Sequence, residues 1–104
     1  MIGRYKIKIG EPLPGYRFKP GECIVNSNHA REFSQGKCSQ KQFDALKMLV
    51  VEVGVDQKTG HESYRLLYDS PVKVGENLPG TGMDQWFLKA FVDSNFELCD
   101  YPEV

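Results

Sequence analysis

Strict period-two alternation is the pattern that most constrains this chain. From Arg4 to Ile9, Tyr5, Ile7 and Ile9 fall on one side and Arg4, Lys6 and Lys8 on the other. This is the signature of a half-buried strand, whose successive side chains point to opposite faces. A second run begins where Met48 to Val53 shifts to β-branched residues, and Val51, Val53 and Val55 alternate with Glu52 and Gly54. Asp56-Gln57-Lys58-Thr59-Gly60 has hairpin-turn composition and Ser63 to Leu67 reads as the return strand. The chain is therefore expected to build a mainly antiparallel sheet.

Other segments attach to that sheet. Gly10 to Gly15 holds two prolines and two glycines and reads as a loop. Tyr16-Arg17-Phe18 and Cys23-Ile24-Val25 are expected to pair as a hairpin across Lys19-Pro20-Gly21-Glu22. Asn26 to Lys37 is polar and aperiodic, and reads as a long surface loop. Ser39 and Gln42 have capping-box spacing ahead of Phe43, Leu46 and Leu49 or Val50, which predicts a short helix from Ser39. Val72 to Val74 reads as a short strand and Glu76 to Gly82 as a loop. Over Met83 to Asp93, the cap spacing of Thr81 and Asp84 and the pairing of Phe87 with Phe91 favour a helix, although Trp86, Leu88, Ala90 and Val92 also alternate as a strand would. Phe96 to Cys99 reads as a last strand, before an acidic tail.

A chain of 104 residues with 40% hydrophobic residues can bury a core without disulfides, so residues 1–104 are expected to form one small α+β domain with one or two short helices. The longest apolar run, Met48 to Val51, is far below a membrane span, and the N-terminus has no signal-peptide h-region. Three widely spaced cysteines, Cys23, Cys38 and Cys99, make a poor disulfide framework and read as reduced thiols of a soluble, cytoplasmic protein. The net charge of −1 hides an asymmetry: residues 1–47 carry nine basic and four acidic side chains, and residues 48–104 four basic and ten acidic. Whether this makes two charged faces depends on how the halves interleave.

The residues offer little chemistry. Cys23, His29 and Cys38, with His61 and Cys99 elsewhere, lack the close ligand pairs of zinc modules, and core or near-core thiols are the expected reading. His29 and His61 sit in polar contexts with no nucleophile signature around them. The segment Leu78-Pro79-Gly80-Thr81-Gly82 lacks both the third glycine of a dinucleotide loop and the lysine of a P-loop, so it reads as a structural helix entry. No catalytic residue, cofactor or metal is assigned, and enzymatic activity is left open with the balance against it. Arg4, Lys6, Lys8, Arg17 and Lys19, with Tyr16 and Phe18 for stacking, would be the surface of a nucleic-acid binder, a reading the pI of 6.1 disfavours.

The segments Tyr16-Arg17-Phe18, Gly21 to Val25, Ser39 to Lys47 and Val50 to Val53 together resemble a segment of small Mu-like prophage accessory proteins, in which a hairpin leads into a capped helix and then a strand. The resemblance covers about residues 15–53, implies a non-enzymatic phage or prophage protein, and carries over no functional residue.

The expected function is a non-enzymatic protein-binding module, a phage or mobile-element accessory protein or an inhibitor of a host enzyme. Its partner is expected to be a protein, a second copy of this chain included, with no membrane involved. Candidate contacts are Arg4, Lys6, Lys8, Arg17, Lys19, His29 and Arg31, together with the loop from Asn77 to Gly82. Two alternatives stand beside it: a small-molecule-binding or enzymatic domain with a pocket walled by Trp86, Phe87, Phe91, Tyr64 and Tyr68, and the nucleic-acid binder on the Arg4, Lys6 and Lys8 strand face.

Overall fold

The alternating run that follows Met48 forms the middle of the sheet. The computed structural model describes residues 9–68 and 84–100. Among them are β1 (Cys23–Asn26), α1 (Ser27–Ser34), α2 (Gln40–Asp44), β2 (Met48–Val55), β3 (Glu62–Tyr68), β4 (Asp84–Leu88), α3 (Lys89–Asn95) and β5 (Phe96–Leu98). The strands make one antiparallel sheet in the order β4-β3-β2-β1-β5. The result is a small α+β fold, with three short helices where one or two were expected.

The β2–β3 hairpin forms as its sequence predicts. Asp56 Oδ1 accepts from Lys58 N, Asp56 O accepts from Gly60 N, and Gly60 takes a φ of 75° that a side chain would oppose. The alternation within β2 is broken, however. A bulge between Val50 and Glu52 puts Val50 and Val53 on the same side, in one core cluster, and Val51 in another with Leu49 and Leu67. Val51 O then accepts from Gly10 N, so the bulge is where the N-terminal segment joins the sheet. Of the strand expected over Arg4 to Ile9, only Ile9 lies within the described residues, and it is not in a strand. The strand expected at Val72 to Val74 and the loop from Glu76 to Gly82 lie outside them.

The hairpin expected between Tyr16–Phe18 and Cys23–Val25 does not form. β1 pairs with β2 and β5 instead, while Tyr16 to Phe18 runs over the sheet and anchors on Tyr64. Tyr16 Oη donates to Gly54 O, and Phe18 N donates to Tyr64 Oη. The turn between them is real: Glu22 N donates to Lys19 O, and Gly21 holds a φ of 96°. These side-chain anchors displace the strand pairing that local composition allowed.

The polar stretch expected to be a loop over Asn26 to Lys37 holds α1. Asn26 Oδ1 caps it by accepting from Asn28 N, and Phe33 stacks flat on Phe43 of α2 with ring centroids 4.4 Å apart. α1 buries no residue fully, so it shows no apolar stripe to a sequence reader. α2 starts where predicted, with both capping-box bonds made: Ser39 Oγ accepts from Gln42 N and Gln42 Oε1 from Ser39 N.

The helix expected over Met83 to Asp93 is divided. Asp84–Leu88 is strand β4, paired with β3 so that Phe87 lies opposite Tyr64 and Trp86 opposite Arg65, and the helix begins only at Lys89. Pairing with β3 overrides the local helical pattern, a common outcome when burial and main-chain bonds act together. α3 then seats Val92, fully buried, on the principal core of Phe18, Ile24, Met48, Val50, Val53, Tyr64, Leu66 and Phe96.

The two halves of the chain interleave in the described sheet. β1, from the basic half, lies between β2 and β5, both from the acidic half.

Candidate functional site

The surface that gathers most recognition chemistry is a row across three strands. The register places Glu52 opposite Arg65, and Arg65 opposite Trp86. Arg65 Nη1 donates to Glu52 Oε1 at 3.3 Å, with both side chains more than a third exposed. Leu88, two residues along β4 and so on the same face as Trp86, is 52% exposed. The β2–β3 turn closes one end, making a cleft of about 510 Å3 lined by Asp56, Gln57, Lys58, Arg65, Gln85 and Trp86. The row thus places a half-buried indole and an exposed leucine beside groups that donate and accept hydrogen bonds.

This is not the aromatic pocket expected around Trp86. Trp86 and Phe87 are neighbours in a strand and face opposite sides, Tyr64 is fully buried in the core, and Phe91 is exposed on α3. These four of the aromatics expected as pocket walls are distributed between two faces of the sheet and a helix.

A second polar cluster lies on the core side. Tyr64 Oη donates to Asp93 Oδ1 at 2.5 Å while accepting from Phe18 N at 3.2 Å. Lys89 Nζ donates to Asp93 Oδ2 at 2.8 Å and sits over the ring of Tyr16, which meets Tyr64 edge-on. Arg17 Nη1 donates to Asp93 O. Burial pushes the Asp93 carboxyl up, but the hydrogen bonds from Lys89 and Tyr64 outweigh it and hold the group below its ordinary value. Burial first, then the bond to Asp93, pushes the Tyr64 phenol up. Tyr16, Arg17, Tyr64, Lys89 and Asp93 each have a partner within the chain, and the evident effect of the cluster is to fasten residues 16–18 to α3.

Among the described residues, the expected contacts are distributed rather than gathered. Arg4, Lys6 and Lys8 lie outside the described residues, as does the loop from Asn77 to Gly82. Arg17 and Lys19 belong to a loop and not to a strand face; Arg17 is spent on Asp93 O and the Phe18 ring. With Phe18 buried and Tyr16 packed on Tyr64, neither ring is presented for base stacking, which removes the aromatic half of the nucleic-acid surface. His29 and Arg31 sit on α1, where His29 Nδ1 lies 3.5 Å from Glu32 Oε1 and Arg31 Nη1 donates to Asn28 Oδ1.

Among the described residues, no group of three or more His, Cys, Asp and Glu side chains is placed to hold a metal ion. All three cysteines are free thiols, and two of them meet: Cys23 Sγ and Cys99 Sγ are 3.3 Å apart. No sequence signal marks that pair, because the two residues are 76 positions apart and only the β1–β5 pairing joins them. No helix among the described residues is long and apolar enough to cross a membrane. Comparison of the chain with protein-family models, with curated proteins and with solved structures found no match.

Proposed function

We propose that this chain is a non-enzymatic protein-binding module whose contact surface is the face of β4 and β3 that carries Trp86, Leu88 and Arg65. The observation that carries the reading is Leu88, 52% exposed and in line with the half-buried Trp86 on the outer strand of the described sheet. Trp and Arg dominate the binding energy of protein interfaces, and apolar groups ringed by polar ones are the usual anatomy of such a patch. Asp56, Lys58, Gln57 and Gln85 supply both donors and acceptors at its rim, which suits the amide groups of a polypeptide segment. An accessory or inhibitory role in a phage or mobile element belongs to the same proposal and rests on the resemblance of residues 15–53.

The test is light-scattering mass on a sizing column, alone and with cleared host lysate, followed by the Trp86→Ala/Leu88→Ser double variant. A heteromeric or dimeric species that disappears with the double variant, at unchanged melting temperature, supports the proposal. A lone monomer in both samples, or a complex indifferent to the double variant, overturns it.

The cleft of about 510 Å3 favours one second reading, a small ligand held against Trp86. Trp86 is the sole tryptophan, so a metabolite and nucleotide screen that leaves its emission and the melting temperature unchanged excludes this.

A further inference from the structure

Cys23 and Cys99 face each other across the antiparallel β1–β5 pair. The register Ile24 to Leu98 continues one step further, with Cys99 N donating to Cys23 O at 3.0 Å. Residues directly opposite each other and hydrogen-bonded in this way have Cα atoms about 5.5 Å apart, within the roughly 4.4–6.8 Å that a disulfide spans. The two Sγ atoms already lie 3.3 Å apart, so side-chain rotation alone can bring them to bonding distance.

The two thiols differ in access. Cys23 is 4% exposed and Cys99 is half-buried, and both line a cleft of about 420 Å3 together with Gly21, Glu22, Leu98 and Asp100. Lys47 and Asp44 form an ion pair at 3.0 Å with both side chains almost wholly buried, and the Lys47 ammonium acts on both sulfurs. The hydrogen bond between the two sulfurs is the largest influence on Cys99 and holds its thiol below the ordinary range, with Lys47 acting in the same direction against burial, Asp100 and Asp44. The same bond, with burial, holds Cys23 up.

We infer that Cys23 and Cys99 form a peroxide-reactive dithiol, in which Cys99 is oxidised first and Cys23 resolves it into an intramolecular disulfide joining β1 to β5. The oxidant is a hydroperoxide. The Cys99 thiolate attacks its outer oxygen, the O–O bond breaks, and the alkoxide or hydroxide leaving group takes up a proton, leaving Cys99 as a sulfenic acid. Cys23 sulfur then attacks Cys99 sulfur; the S–O bond breaks, and the departing hydroxide takes the Cys23 proton to leave as water. In sum, two thiols and one hydroperoxide give one disulfide, one alcohol (water, when the oxidant is hydrogen peroxide) and one water. A dithiol reductant reverses the bond by exchange. Once formed, the bond ties the three-residue strand β5 covalently to its neighbour.

The test uses the full native chain treated with one equivalent of hydrogen peroxide at neutral pH, then alkylated under denaturing conditions and mapped by mass spectrometry. The expected product has lost two hydrogens, contains a linked Cys23–Cys99 peptide, and is alkylated only at Cys38; dithiothreitol restores alkylation at all three cysteines. In Cys23→Ser, which lacks the resolving thiol, Cys99 should accumulate as a dimedone-reactive sulfenic acid. Peroxide consumed at Cys38 with Cys23 and Cys99 both still alkylated, or Cys99 over-oxidised in the wild type with no linked peptide, overturns the inference.

Discussion

Tyr64→Phe tests the tie between the N-terminal segment and α3 because it removes one oxygen and leaves the ring in place. That oxygen makes two bonds: it donates to Asp93 Oδ1 at 2.5 Å and accepts from Phe18 N at 3.2 Å. Phe18 is 2% exposed, so its N–H loses its partner where water does not readily replace it, at a cost of about 1–3 kcal/mol. The bond to the carboxylate is charge-assisted and worth about 1.5–3 kcal/mol, less what water and Lys89 restore to a group that is only partly buried. The ring contacts with Tyr16 and Phe18 survive and no cavity opens, so the expected loss is about 2–4 kcal/mol. Urea unfolding at neutral pH reads it directly as a lower midpoint at unchanged slope. The pH dependence supplies a second reading. Asp93 has a folded value below its unfolded one, so its contribution is present above the unfolded value of about 3.9 and is lost as pH falls through the lower, folded value. The Tyr64 bond helps to hold that value down, so the gap between wild type and Tyr64→Phe should be constant from pH 7 to about pH 5 and narrow in more acid solution. A loss under about 0.5 kcal/mol, or a gap that widens as pH falls, would refute the assignment of these bonds.

Two further perturbations address other parts of the fold. Ser39→Ala removes both the acceptor for Gln42 N and the reciprocal geometry of the capping box, and should cost about 1 kcal/mol in the same unfolding assay. Asp44→Asn leaves the buried Lys47 ammonium without its counter-charge and should cost about 3–5 kcal/mol, much of which Asp44→Asn/Lys47→Met would recover if the penalty is the unpaired charge. Calorimetry of the single and double variants separates that outcome from simple loss of packing.

Some elements needed no tertiary information. The β2–β3 hairpin is written in Asp56 and Gly60, one capping the turn through its own side chain and the other taking the backbone angle that side chains resist. The start of α2 is written in Ser39 and Gln42, which satisfy each other's main-chain donors within four residues. Such signals are local: donor, acceptor and conformational cost all lie in one short stretch.

The Trp86 surface was legible only in part. The indole is visible in the sequence, but the strand pairing that aligns it with Leu88 and Arg65 and turns Phe87 inward is not. The same failure produced the expected hairpin at residues 16–25, where the choice between a strand partner and the Tyr64 anchor is made by a residue some 46 positions away. α1 escaped notice because Phe33 and Ala30 make too sparse an apolar stripe, and its packing comes from one stacked ring on α2.

Local periodicity and turn chemistry in the sequence determined that this chain builds an antiparallel sheet with a capped helix, because those preferences act over a few residues. Tertiary structure alone decided which strands became neighbours, that the basic and acidic halves would interleave, that Val51 would bulge, and that Cys23 would meet Cys99. Those outcomes follow from main-chain pairing and burial between residues far apart in the chain, whose balance no local window contains.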